Sequence, residues 1–211
     1  MKPKRLILVG AGAFARELIN WAEHAAAQGG TPPITAFLDA SAVALESFDY
    51  GLEYLGPIES YQPREGDGLV MAIGDPVAKK RVATDLLARG AAFAQLIHPS
   101  AVIARTARLG AGVTVCPHAV ISADAVVGDF VAINTLSSIG HDVVVGAYTT
   151  VSGHVDLTGS VQVGEGCFFG TGARVVPRVS IGAGARIGAG ATVLRSVPDG
   201  AVMFTTPAKK L

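Results

Sequence analysis

The chain has 211 residues, half of them apolar, and its 17 basic residues are balanced by 17 acidic ones. That length can bury a core and hold two modest domains, while the balanced charge argues against a polyanion-binding surface, so RNA and DNA are not expected partners. Two cysteines, Cys116 and Cys167, with no metal-ligand spacing around them, point to the cytosol and to no metal.

The chain opens Met1-Lys2-Pro3-Lys4 and passes straight into a patterned strand, without the longer apolar segment of a signal peptide. No run of eighteen apolar residues occurs, so membrane insertion is not expected. Residues 5–9 read as a buried strand running into Gly10-Ala11-Gly12-Ala13-Phe14-Ala15, and residues 14–27 as a helix closed by Gly29-Gly30. A second strand spans 34–38 and ends in Asp39. Residues 40–68 have no regular pattern. A third strand at 69–73 leads through Gly74-Asp75-Pro76 into a helix at 77–89, and 93–97 leads onward.

Strand, glycine turn, helix, strand, acidic residue is the opening of a doubly wound α/β domain. Residues 1–96 are therefore expected to form a small Rossmann-like domain. Its glycine motif departs from the dinucleotide fingerprint, because Ala15 replaces the third glycine. Gly10 and Gly12 let the backbone pass close to a phosphate at the helix N-terminus. Asp39 is placed to accept from a ribose or base. Fewer than one hundred residues precede the next pattern, too few for a complete NAD site.

From Ile97 to Val193 a large apolar residue, mostly Ile, Val or Leu, stands at every sixth position without a slip. Four residues after each comes a second inward position, usually small, such as Ala107, Ala119, Ser137, Cys167 or Ala185. The residue just after the large one is often Gly, as at Gly110, Gly128, Gly140, Gly146 and Gly164. An α-helix needs a period of 3.6 and a flat strand a period of two. A strict period of six with inward-large, turn and inward-small positions is that of a parallel β-helix, here expected over 97–211. Cys167 falls on an inward position. Cys116, just after a large residue, is expected at a corner.

The repeat resembles the hexapeptide-repeat acyltransferases. The order of a small α/β domain, the bridge Ile97-His98-Pro99-Ser100-Ala101 and a C-terminal β-helix resembles their branch of bacterial nucleotide-sugar N-acetyltransferases and sialic acid O-acetyltransferases. The segments that carry the likeness are Asn134-Thr135, Ile139-Gly140-His141-Asp142, Gly159 and the closing Pro207-Ala208-Lys209. The resemblance implies a left-handed β-helix with three hexads per coil. It implies His141 as general base aided by Asp142, and Gly159 offering its amide to the thioester carbonyl of acetyl-CoA. It also implies a nucleotide sugar held in the α/β domain, with Asp39 and the Ala72-Ile73-Gly74-Asp75 loop at its binding edges, and homotrimers with acetyl-CoA between adjacent β-helices. The chain departs from the pattern at Ala13-Phe14, where Gly-His is usual. It departs again at Thr150, where a further histidine often stands, and at Thr206, which replaces a glycine.

Three hexads per coil make residues eighteen apart neighbours, about 4.8 Å from each other. His141 should then stack on Gly159 at one outward edge, a base beside an oxyanion donor. His118, Leu136, His154 and Gly172 form a second column, in which His154 is a candidate for the cleft. Asn134 and His154 are expected to contact the sugar substrate together with Gly10, Gly12, Asp39, Gly74 and Asp75. Gly159, Gly172, Ala173, Arg186, Ala189 and Lys209 are expected on the CoA side, with Arg174 as a further phosphate contact. Short residues at Ala132, Thr150, Ser152 and Ser160 are expected to pack trimer faces.

Nucleophilic catalysis by a cysteine is disfavoured, since Cys167 points inward and Cys116 has no base partner in this register. The resemblance implies direct transfer from acetyl-CoA to the amine of a UDP- or GDP-linked 4-amino-4,6-dideoxy sugar. O-acetylation of a sugar such as sialic acid and a non-catalytic β-helix binding or structural protein are the alternatives. A nucleotidyltransferase would need a far longer α/β domain.

Overall fold

The computed structural model describes residues 3–206. The N-terminal part is a four-stranded parallel sheet of β1 (Arg5–Val9), β2 (Ile34–Leu38), β3 (Glu53–Tyr54) and β4 (Asp67–Met71), in the order β3-β2-β1-β4. The two helices are α1 (Ala13–Ala27) and α2 (Pro76–Ala88). Side chains alternate along β1: Leu6 and Leu8 pack with Leu18 and Ile19 of α1, whereas Ile7 and Val9 pack with Val82, Ala83 and Leu86 of α2. Residues 40–66, which carried no pattern, contribute only the short β3 and a 3-10 turn at Ile58–Ser60. The two helices begin and end within a residue of their expected bounds; β4 begins two residues earlier than expected and ends two residues earlier.

From Leu96 onward the backbone forms a parallel β-helix of two-residue strands in three sheets. Pairing follows a step of eighteen residues, as in Ser138↔Asp156 and Ile139↔Leu157. The large hexad residues fill the prism: Ile133, Ile139, Val151, Leu157, Phe169 and Val175 have no exposed surface. The inward small positions include polar groups that are satisfied internally. Thr149 Oγ1 donates to Gly164 O and accepts from the Cys167 amide, while Ser137 Oγ donates to Ser152 O and accepts from the Val155 amide. Near the end the step shortens to sixteen residues, with Ile181↔Val197 and Arg186↔Val202, because the chain leaves the hexad frame between Val193 and Val197.

The glycine after each large residue answers to crowding between coils. A Cβ at Gly140 would stand 2.9 Å from the Gly159 nitrogen and from Leu157 O in the next coil. The left-handed backbone sits two positions later, at His118, Leu136, His154 and Asp142 among others, with φ of 57° to 60°.

The N-terminal part packs on the seven-stranded sheet of the prism. Thr150 Oγ1 donates to Gly74 O, Lys79 reaches Thr149 and Thr150, and Phe130 stacks on Tyr148 and meets Phe93 edge-on. Leu96 and Cys116 belong to the cluster around α1. This docking corrects one expectation. Ala132 and Thr150, each 4% exposed, lie under the chain's own N-terminal part and not on a free face. Cys116 does hold a corner position, stacked in register with Asn134 and directing its thiol to Asn134 Oδ1, but it is buried there in the cluster around α1, and that burial pushes its thiol up to about 12. No helix among the described residues is long and apolar enough to cross a membrane.

Candidate active site

Three corners join the three sheets. The corner after the docked sheet carries Asn134-Thr135, Ser152-Gly153-His154 and Thr171. It faces the N-terminus of α1 across a cleft of about 440 Å³ that Ala13, Phe14, Glu17, Gly74, Thr150 and Phe168 complete. Asn134 is held there by donating from Nδ2 to Val151 O. A second cleft of about 420 Å³ is lined by Gly10, Gly12, Asp39, Ile73, Gly74 and Arg81. Both clefts share Ala13, Phe14 and Gly74, so they form one trough that crosses the start of α1.

That helix start is bare. Its N-cap is Gly12, with no side-chain cap and no acidic residue in the first turn. The unpaired amides and the helix dipole give it a positive potential. Gly10 has φ +95°, a value that L side chains avoid, and a Cβ there would meet Ile73. Asp39 braces the turn from the other side: Oδ2 accepts from the Ala11 amide at 2.9 Å and Oδ1 from the Ser41 amide at 3.0 Å. Gly10, Gly12, Asp39, Gly74, Asn134 and His154, which are among the residues expected to contact the sugar, thus all line the trough.

Asp75 does not. Its Oδ1 accepts from the Val77 and Ala78 amides, and its Oδ2 lies 3.7 Å from Arg186 Nη1. It is the N-cap of α2, with Pro76 at the first helical position. Arg186 is drawn to this side as well, its guanidinium 4.9 Å from the ring centre of Phe168, because the register stacks 186 over 168 over 150.

The next corner round the prism carries His141, Asp142 and Gly159. His141 Nδ1 lies 2.8 Å from Asp142 Oδ2. In the tautomer whose Nδ1–H donates to that carboxylate, the ring keeps its lone pair on Nε2. Nε2 hangs over Gly159, where a Cβ would come within 2.5 Å of it. The expected eighteen-residue stack is therefore present. Among the described residues no acceptor takes the Gly159 amide proton. Amides at this corner position are unpaired in several coils; what sets Gly159 apart is the missing side chain beside an imidazole.

His141 lies one whole prism face beyond the corner that borders the trough, and it lines neither cleft. The expected catalytic and sugar-binding residues thus fall in two separate places on one chain. Of the expected CoA contacts, Ala189 is exposed on the trough-side corner. Gly172 donates its amide to Gly153 O, and Ala173 is wholly buried and bonded to Gly170 O, so neither amide is free. Arg174 stays outward on its own face, donating to Gly172 O. Lys209 lies outside the described residues. Cys167 donates its thiol to Gly182 O inside the prism, and burial raises its pKa. Glu17, Phe168 and Thr171 were not singled out from the sequence. Hexad register identifies 168 and 171 as neighbours of Thr150 and Gly153, but not that α1 lies opposite. Among the described residues no cluster of three or more His, Cys, Asp or Glu could hold a metal ion.

Residues 160–195 match the family model described as bacterial transferase hexapeptide (six repeats). Among curated proteins no sequence matches the chain. Solved structures match over nearly its whole length. A mutant of perosamine N-acetyltransferase from Caulobacter crescentus, in complex with CoA and GDP-perosamine, is 33% identical over 97% of this chain and 95% of that one, with a TM-score of 0.84. The acetyltransferase domain of PglB from Neisseria gonorrhoeae FA1090, in complex with acetyl coenzyme A, is 30% identical over 99% and 100%, with a TM-score of 0.82. WeeI from Acinetobacter baumannii AYE is 26% identical over 98% and 99%, with a TM-score of 0.83. The hexads, the stacked histidine and glycine, and this full-length likeness make the chain a member of the hexapeptide-repeat acyltransferases.

Proposed function

We propose that the protein transfers the acetyl group of acetyl-CoA to the amine of a nucleotide-linked 4-amino-4,6-dideoxy sugar. The observation that carries this reading is the His141–Gly159 stack, with Asp142 setting the tautomer. In this scheme the sugar amine attacks the thioester carbonyl, and His141 Nε2 takes the proton that the nitrogen sheds. The Gly159 amide donates to the oxyanion as the carbonyl becomes tetrahedral. Collapse releases the CoA thiolate, which recovers the proton from the imidazolium.

Residues 1–96 serve as a Rossmann-like nucleotide-sugar domain. The bare start of α1 suits a pyrophosphate, and Arg81 adds a cation at the second cleft. A nucleotide-sized trough favours N-acetylation of a nucleotide sugar over O-acetylation of a free sugar. Support for a GDP-linked substrate comes from the relative bound to GDP-perosamine. UDP remains the competing carrier.

Because trough and base lie on different corners, the site is completed by a second copy: the sugar bound to one chain meets His141 of its neighbour in a homotrimer. Acetyl-CoA lies along the same seam, with Ala189, Arg186 and Lys209 as its contacts. The test is free-thiol release from acetyl-CoA with GDP- and UDP-linked 4-amino sugars, with sialic acid as the O-acetyl control. Thiol release that depends on a nucleotide amino sugar is expected. Release with sialic acid alone would overturn the substrate assignment.

A further inference from the structure

Lys79 is among the largest fully buried side chains of the chain's described part and, at 1% exposure, the charged one among them. An ammonium inside a protein is costly, and most buried lysines answer to an ion partner. Here Nζ donates to Thr150 Oγ1 at 2.7 Å and to Thr149 O at 3.2 Å, both neutral groups of the β-helix. Asp75, one turn earlier on α2 and occupied as its N-cap, is the charged group that acts on it. A Leu or Met would fill the same space without that cost.

The Thr150 hydroxyl has one proton to give. Accepting from Lys79 leaves that proton for Gly74 O, 2.7 Å away. The result is a directed chain from Lys79 to Thr150 to the loop at 72–75. Thr150 lines the first cleft and Gly74 lines both, whereas Lys79 lines neither. We propose that Lys79 is a positioning residue for the nucleotide-sugar trough: it fixes the Thr150 hydroxyl, which ties the loop at 72–75 to the β-helix wall. Burial brings the lysine down to about 7, and amine and ammonium alike have the two N–H groups the chain needs, so the link holds on both sides of neutrality.

This inference rests on the trough binding a nucleotide. The test therefore measures GDP, UDP and CoA binding to the full chain by calorimetry in wild type, Lys79→Met, Thr150→Val, Thr150→Ser and the Lys79→Met/Thr150→Val double variant. Lys79→Met and Thr150→Val are each expected to weaken the nucleotide that wild type binds by about tenfold, the worth of one hydrogen bond. The double variant should be no worse than either single one, as expected when both break one chain. Thr150→Ser, which keeps the hydroxyl, should stay near wild type, and CoA affinity should not move. Nucleotide binding by Lys79→Met that matches wild type, additive losses in the double variant, or an equal loss of CoA binding would overturn the proposal while leaving the nucleotide reading intact. A wild type that binds neither GDP nor UDP would overturn that reading and this proposal with it. Should Lys79→Met fail to fold, the contrast of Thr150→Val with Thr150→Ser decides: equal binding by the two overturns the chain.

Discussion

Gly159 and Gly140 both sit at one corner of the prism, yet alanine at each should do different things. A Cβ at Gly159 would stand 2.5 Å from His141 Nε2 and 2.6 Å from Cε1, about 1 Å inside an ordinary contact. The obstacle is the end of a side chain that is 68% exposed. The imidazole can therefore swing outward to another rotamer for about 1 kcal/mol or less. Stability should barely change, with Tm within about 2 °C of wild type. Turnover should not survive, because the ring leaves the oxyanion donor: kcat should drop by at least about 10². At Gly140 the Cβ meets backbone of the next coil, the Gly159 nitrogen and Leu157 O, each at 2.9 Å. Backbone cannot rotate away, so overpacking should cost about 1–3 kcal/mol, or roughly 3–10 °C in Tm for a chain of this size. Thermal unfolding and thiol release on the two variants check this directly. A Gly159→Ala protein that keeps more than half of wild-type kcat would refute the proposed pairing of base and oxyanion donor. Equal destabilisation of the two variants would refute the packing argument.

Asp75→Ala removes the cap of α2 and should cost about 0.5–2 kcal/mol in chemical denaturation, while KM for the nucleotide sugar changes little. A large KM effect would return Asp75 to the binding site. Lys79 titrates near 7 in the folded chain and near 10.5 when unfolded. Between those values the unfolded state binds more protons, so wild-type stability should gain on Lys79→Met as pH rises from 7 towards 10, by up to about 1.4 kcal/mol per pH unit; parallel curves would contradict this burial. His141→Asn should lower kcat by roughly 10²–10⁴ while both substrates still bind, as read from steady-state kinetics and CoA calorimetry.

The β-helix was legible because its core repeats every six residues and tolerates no slip; Ile97 to Val193 carry that signal in plain view. The stack of His141 on Gly159 followed from the same register. The trough was only half legible. Gly10, Gly12 and Asp39 announce themselves through turn chemistry, but Phe14, Glu17 and Phe168 meet only because the N-terminal part docks on one of three similar faces. Nothing local encodes that choice; it emerges from Lys79, Thr150, Phe130 and Tyr148 together. Asp75 was misread although its signal was present. Asp followed by Pro at the head of a helix is a capping signature, and that local role outweighs its place at a strand end. The expected free face at Ala132 and Thr150 failed for the same docking reason, since small residues suit any close neighbour, including the chain's own helix α2. The late shift from eighteen to sixteen residues follows the loss of the hexad frame between Val193 and Val197.

The central claim is that His141 of one chain serves the nucleotide trough of another, and mixed oligomers test it most directly. His141→Asn chains lack the proposed base, and Asp39→Ala chains lack the brace of the glycine turn. Each alone should be nearly inactive at low nucleotide-sugar concentration. When the two are unfolded together and reassembled in equal amounts, one site in about four should draw its trough from the first variant and its base from the second, by random mixing within a closed ring. Recovery of about a quarter of wild-type thiol release is the predicted result. A mixture that stays as inactive as its parents, from trimers shown to contain both chains, would contradict the shared site.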